Sequence, residues 1–281
     1  MHSLSAALAL ATALLAPAAA QAFDEAKYPD WKGQWRRAEA GPPRYDPSRP
    51  LLDQQAPLNA EYQAIHAASL ADQAAGGQGN DPTYTCIAPG MPRITNVYDP
   101  MEIVITPGTT HMLIQHIHDS RRILTDGRDW PSRLDQVEPT FTGISIGRWI
   151  DTDGDGRYDL LEVETRLLRG PRAFDATGLP LHKDNQTIVK ERIYADKGNS
   201  NMIVDEIVTF DHALTRPWSA VKHYRRVAGR EAVWPESVCA EANVHVEIGG
   251  QNYFLSADGY LMPARKDQPP PDLKYFKQSQ K

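Results

Sequence analysis

Residues Thr140 to Leu168 read TFTGISIGRWIDTDGDGRYDLLEVETRLL, and the fold turns on how the two ends of this stretch are interpreted. Its first part, Thr140 to Ile150, is rich in β-branched and aromatic residues and carries Gly143 and Gly147, a composition that disfavours helix. Its last part alternates with the period of a strand. Leu161, Val163, Thr165 and Leu167 fall on one side, Leu160, Glu162, Glu164 and Arg166 on the other. Between them, Asp151 to Glu162 matches the oxygen-ligand template of a calcium loop. Counting Asp151 as position one, carboxylates stand at positions one, three, five, nine and twelve: Asp151, Asp153, Asp155, Asp159 and Glu162. Gly156 sits at the sharp turn, and the main-chain carbonyl of Arg157 fills position seven. Calcium takes roughly six to eight oxygens, so one structural calcium is the expected cofactor. Strand flanks point to a stiffened hairpin and away from a sensor that opens a pair of helices. The plainer alternative is a solvated acidic turn, opposed by the mutual repulsion of carboxylates crowded into one short segment.

Outward from this hairpin, strands dominate the chain from Tyr84 onward. The periodicity predicts them over Met101 to Thr106, Thr110 to His118, Arg121 to Thr125, Thr187 to Tyr194, Met202 to Phe210 and Ser219 to Val227. Turn signals separate them, among them Thr106-Pro107-Gly108, Thr125-Asp126-Gly127 and Lys197-Gly198-Asn199. Residues 38 to 57 form a proline-rich arm, and Leu58 to Ala75 has the composition of a helix starting near Asn59. The expected class is mainly β, an antiparallel barrel of the lipocalin or calycin kind or a sandwich, with an N-terminal arm and one short helix. A doubly wound sheet is disfavoured because helical segments between strands are lacking, and no repeat of fixed period is visible.

Met1 to Ala22 carries an apolar run ending in Ala20-Gln21-Ala22, the pattern of a secretory signal peptide. It is too short to span a bilayer, and no later run is long enough. Removing it leaves about 260 residues, in the range of one β-rich domain. These divide into an arm and helix over 23–82 and a barrel domain with the calcium loop over 83–281. A periplasmic or secreted location follows, and in an oxidising compartment the two cysteines, Cys86 and Cys239, favour a disulfide over two buried thiols. In the loop-entropy model such a bond contributes ~4–5 kcal/mol. A formal net charge of -6 leaves no basic footprint for nucleic acid.

Several blocks in order, CIAPGMPR (86 to 93), RRILTDGRDWP (121 to 131), GISIGRW (143 to 149), 178 to 192 and VTFDHALTRPW (208 to 218), resemble a family of secreted proteobacterial proteins that share no agreed activity. The chain departs from that pattern in having Trp130 where the resemblance implies His. It also carries the calcium loop where the family has a shorter turn, so the loop is not something the resemblance implies. Asp30 to Trp35 (DWKGQW) resembles the Gly-x-Trp opening of lipocalin-like barrels.

Chemistry is sought where His, Arg and carboxylates cluster. His116 and His118, two apart in a predicted strand, project from one face, a spacing suited to metal ligation or acid–base work. Taking Asp119 and Ser120 as a two-residue turn pairs His118 with Arg121, so either Arg121 or Arg122 is the inward arginine that would hold an oxyanion. Asp126, Arg128, His182 and Asp184 are expected at the rim of one pocket, with Glu191 and Asp211 as further acid–base candidates. For each, the plainer reading is structural: exposed imidazoles, an Arg–Asp pair pinning a hairpin, an ordinary loop over DHALTRPW. No nucleophile elbow, phosphate loop, metalloprotease helix or dinucleotide fingerprint is present. Two functions stay open. One is a cofactor-free acid–base enzyme (isomerase, lyase, hydratase or hydrolase) acting on a small oxygenated or aromatic molecule in the barrel. The other is a non-catalytic periplasmic small-ligand-binding protein. Clustered charged groups inside the barrel favour the first, an apolar cavity the second. An adhesion module is disfavoured by the lack of repeats.

Overall fold

Nine strands close into a barrel in chain order. They are β1 (Gln34–Arg37), β2 (Met101–Thr106), β3 (Thr109–Ile114), β4 (Asp119–Leu124), β5 (Ile144–Ile150), β6 (Leu160–Arg166), β7 (Ile188–Asp196), β8 (Asn199–Phe210) and β9 (Trp218–Arg226). A separate three-stranded sheet joins β10 (His245–Ile248), β11 (Gln251–Leu255) and β12 (Leu261–Pro263). The computed structural model describes residues 23–38, 56–96, 100–115, 119–229, 234, 245–249, 251–255 and 261–263. Residues 1–22, where a leader is expected, most of the proline-rich segment at 38–57, His116, His118 and Cys239 lie outside the described residues. No helix among the described residues is long and apolar enough to cross a membrane.

An odd ring cannot be antiparallel at every junction, because strand directions would have to alternate around it. One junction must therefore be parallel, and it is β4 with β5, paired only through Ile123 with Ser145 and Leu124 with Ile146. Parallel neighbours need a long crossover, which residues 125–143 supply. The other junctions are antiparallel. Thr106 pairs with Thr109 across Pro107 and Gly108, where Gly108 takes a φ of 75° that a side chain would resist.

Alternation along β6 is as the sequence predicts: Leu161, Val163 and Thr165 are buried, while Glu164 ion-pairs on the outer face with Arg166 and Lys190. The barrel interior is filled by large side chains, among them Trp35, Met101, Met112 and Tyr224. Gly147 provides the room for this packing, since a Cβ there would stand 2.6 Å from Cγ2 of Ile123.

β1, unassigned from sequence, closes the ring by pairing Trp35 with Met101 of β2 and Arg226 of β9. Trp35 is fully buried, and its indole N–H donates to the Trp31 carbonyl at 2.9 Å. The Arg226 guanidinium lies over the Trp35 ring at 4.3 Å and donates to the carbonyls of Asp30, at 2.6 Å, and Lys32. This clamps the N-terminal segment across one barrel end.

The helix α1 (Ala60–Ala74) begins where Asn59 caps it, its side-chain oxygen accepting from the Tyr62 N–H at 3.0 Å. Only Tyr62 and Ser69 of α1 are buried. The helix is held against residues 176–182 by Ser69 and Gln73, which donate to the carbonyls of Thr177 and Ala176.

One expected register is corrected. β3 ends at Ile114, which pairs with Asp119, so Asp119 and Ser120 open β4 instead of forming a tight turn. Arg121 consequently stands opposite Met112 and not opposite His118. The displacement is an even number of residues and preserves the face, so Arg121 still points inward.

Candidate active site

Inward positions on neighbouring strands bring ionisable groups into the barrel. Arg121 of β4 and Glu191 of β7 form a bidentate pair, Nη1 to Oε1 at 2.7 Å and Nη2 to Oε2, with side chains 1% and 0% exposed. Ser145 of β5 accepts from Arg121 Nε at 3.1 Å, and Thr165 of β6 accepts from Nη2 at 2.8 Å. Burial works against the charge of Arg121, but Glu191 outweighs it and raises the pKa further.

Beside this pair, Asp205 of β8 and Lys222 of β9 face each other in register, both 1% exposed. Lys222 Nζ donates to the Thr95 hydroxyl and lies 5.3 Å from the centre of the Phe174 ring. The Tyr224 hydroxyl donates to the Thr95 carbonyl at 2.6 Å and approaches Asp205 Oδ2 at 3.5 Å. Asp205 Oδ1 is buried with no hydrogen-bond partner among the described residues. Burial, and then the charge of Glu191, push the Asp205 carboxyl up to about 8, while burial pulls the Lys222 ammonium down to about 8. Burial thus favours the protonated carboxyl of Asp205 and the neutral amine of Lys222. Next in sequence to Thr95 and Phe174, the residues Ile94, Asn96 and Asp175 line, with Arg93, a void of about 40 Å³.

Of the residues singled out from sequence, Arg121 is the inward arginine and Arg122 is exposed on the opposite face. Asp126 and Arg128 form an exposed ion pair at the turn after β4, with Arg128 Nε 2.8 Å from Oδ1, and this hydrogen bond holds Asp126 down at about 2. The pair is local to the start of the crossover from β4 to β5 and pins no hairpin, since those strands are parallel. His182 and Asp184 lie together on the connection between β6 and β7, with Nδ1 2.9 Å from Oδ1. They are joined by His212, whose Nδ1 is 2.6 Å from Asp184 Oδ2. Asp211 accepts from the His182 N–H at 2.9 Å. Burial opposes the charge of Asp184, but hydrogen bonds from His212, Gln186 and His182 hold it down at about 2. Arg121 is buried inside the barrel, Asp126 and Arg128 are exposed after β4, and His182 and Asp184 lie on the connection before β7, while His116 and His118, expected in the same pocket, lie outside the described residues.

Sequence reasoning missed Asp205, Lys222 and His212. The only signal for His212 is its place beside Asp211 in DHALTRPW.

In the loop from Asp151 to Asp159, the carboxylates of Asp151, Asp153 and Asp155 offer oxygens within 4.8 Å of one another. Asp151 accepts from the N–H groups of Gly154 and Gly156, each at 2.8 Å, which folds the loop around it. The hard oxygen donors fit calcium at these three positions. Asp159 is engaged by Thr152, N to Oδ1 at 2.9 Å. Glu162 lies in β6 on the outer face, 3.6 Å from Arg192, and does not join the cluster. Tyr158 fastens the loop to the N-terminal segment by donating its N–H to the Lys27 carbonyl at 2.7 Å and packing on Tyr28. No cysteine among the described residues is a free thiol.

Two larger clefts lie outside the barrel. One of about 550 Å³ runs between residues 25–33 and β2, and one of about 440 Å³ runs between Trp130 and the outer face of β5 to β8. Comparison of the chain with protein-family models, with curated proteins and with solved structures gives no match.

Proposed function

We propose that this chain is a secreted acid–base enzyme acting on a small oxygenated molecule at the end of the barrel closed by Thr95 and Phe174. The observation that carries this reading is the buried, facing pair of Asp205 and Lys222, each displaced toward neutrality. Asp205 in its protonated form serves as general acid toward an oxygen that gains charge, and the Lys222 ammonium stabilises that charge. With Asp205 neutral and Arg121 balanced by Glu191, the excess charge of this set is that of Lys222, which favours an oxyanion or enolate. Arg121 and Glu191 act as positioning residues: their pair ties β4 to β7 across the interior and sets the charges that Asp205 faces. Reaching it requires the segments around Asn96 and Asp175 to part.

A structural calcium on Asp151, Asp153 and Asp155 belongs to the same reading, supported by the convergence of their oxygens. So does a disulfide from Cys86 to Cys239, supported by the absence of a free thiol, and so do a secretory leader and membership of the secreted family that the sequence blocks resemble. A non-catalytic binding protein is the second reading, favoured by the external cleft of about 440 Å³ beside Trp130.

The test is a thermal-shift screen of small carboxylates, enols and phenols, followed by turnover assays on every compound that stabilises the protein. Asp205→Asn and Lys222→Met are expected to lower turnover by ~10²–10⁴ fold, the usual share of a general acid or base. Ligands that bind and are never converted support the carrier instead. Turnover untouched in Asp205→Asn removes the pair from the chemistry.

A further inference from the structure

Outside the barrel interior, we infer that His182, Asp184 and His212 form a binding site for one divalent transition-metal ion, with Zn²⁺ the best match. The three donors come from two connections, His182 and Asp184 before β7 and His212 after β8, and all lie within 4.8 Å of one another. Two imidazole nitrogens and a carboxylate oxygen are the donor set of an open zinc site, in which three protein ligands leave a position for water. The set carries one negative charge against the two positive charges of the ion. It differs in kind from the all-oxygen loop at Asp151, and a borderline ion prefers nitrogen where calcium prefers oxygen.

The spacing of the ligand atoms points the same way. His182 Nδ1 stands 3.2 Å from the Asp184 main-chain nitrogen and 2.9 Å from a carboxylate oxygen of Asp184, so imidazole and carboxylate are already side by side. A metal ion bound there displaces the protons that the histidines share with the carboxylate. Around a tetrahedral zinc with bonds of ~2.0–2.1 Å, donor atoms sit roughly 3.3 Å apart. The His212 and Asp184 donors, now 2.6 Å apart, must open by roughly half an ångström or more. His212, with 68% of its side chain exposed, has room to swing by that amount.

Surrounding groups hold the ligands as second-layer hydrogen bonds do in metal sites. The His182 ring lies 5.1 Å from the Tyr62 ring, and the Tyr62 hydroxyl accepts from the Lys183 N–H at 3.2 Å. Asp211 accepts from the N–H groups of both His182, at 2.9 Å, and Ala213, at 2.8 Å, thereby tying the two connections together. Gln186 N–H donates to Asp184 at 3.0 Å, and the Asn59 side chain donates to the His212 carbonyl at 3.0 Å. The start of α1 thus anchors one ligand loop while the face of α1 supports the other.

The experiment is titration calorimetry of the full chain with zinc chloride after EDTA treatment and dialysis, together with cobalt substitution followed by visible absorption. One zinc per chain is expected, together with a tetrahedral-type cobalt spectrum. His182→Ala and His212→Ala should each weaken zinc binding at least ~100-fold, while Asp153→Ala in the acidic loop leaves it unchanged. Zinc binding undiminished in His212→Ala, or lost in Asp153→Ala, overturns the assignment, as does the absence of zinc heat in the unaltered chain. Should a histidine variant fail to fold, the cobalt spectrum of the unaltered protein decides: an octahedral, weakly absorbing ion is the contrary result.

Discussion

Breaking the Arg121–Glu191 pair one partner at a time, and then removing both, tests the account of the barrel interior. Glu191→Gln keeps shape and removes the counter-charge, leaving the Arg121 guanidinium, 1% exposed, with neutral acceptors only: the new amide oxygen and the hydroxyls of Ser145 and Thr165. Arg121→Met leaves the Glu191 carboxylate without its counter-ion and strips the Ser145 and Thr165 hydroxyls of their donor. Stranding one member of a buried ion pair costs about 3–5 kcal/mol. For a domain of this size each kcal/mol moves the melting temperature by roughly 2–4 °C, so each single variant should melt roughly 6–20 °C lower. The double variant Arg121→Met with Glu191→Leu buries no charge at this point. Replacing a whole buried pair by apolar groups is often neutral or stabilising by ~1–4 kcal/mol. It should therefore stand close to the parent protein, giving a coupling energy of several kcal/mol in the double-mutant cycle. Urea unfolding followed by tryptophan fluorescence, with coincident circular dichroism to establish two-state behaviour, measures all four proteins. Single variants within ~1 kcal/mol of the parent, or a double variant that costs the sum of the singles, would refute the reasoning.

Three further outcomes are expected. Because the folded Asp205 carboxyl sits at about 8 and an unfolded one near 4, the folded state binds the extra proton between those values, so stability falls as pH rises through this window. Above it Lys222, lowered from 10.5 to about 8, contributes with the opposite sign, and stability recovers toward pH 10.5. Urea melts across this range should show Asp205→Asn flattening the first descent, and a parent profile already flat there contradicts the burial argument. Calcium at a hundredfold excess over its dissociation constant should add ~2.7 kcal/mol to stability; Asp153→Ala abolishes the gain, and equal melting temperatures in calcium and in EDTA exclude the site. Gly147→Ala drives a methyl to 2.6 Å from Cγ2 of Ile123 and 3.3 Å from the Glu162 carbonyl, at a cost of ~1–3 kcal/mol, so a variant as stable as the parent in urea would show the barrel wall to be less tightly packed there.

What could be read from residues alone was whatever local free energy controls. β2 runs over the predicted Met101 to Thr106, the Pro107–Gly108 turn joins it to β3, and Asn59 caps α1. Each depends on torsion preferences and hydrogen bonds a few residues apart. Period-two alternation in LLEVETR marked the buried face of β6 because only one of its faces is charged. In β8 the same rule fails. Val204 and Val208 flank Glu206 on the outside, while Ile203 and Ile207 flank Asp205 within, so alternation assigns neither acid to the interior.

The sequence by itself determined a β-rich chain, its hairpins, its acidic loop and the parity that lets only one of Arg121 and Arg122 face inward. Tertiary structure decided which one, since that choice depends on a register set across β3 and β4. It also decided that β1 closes the ring against strands that are distant neighbours in sequence, and that Glu191 lies opposite Arg121 and Asp205 opposite Lys222. The physical reason is range. A charge acquires its partner and loses its water only when the barrel closes around it, and no window of sequence contains that event.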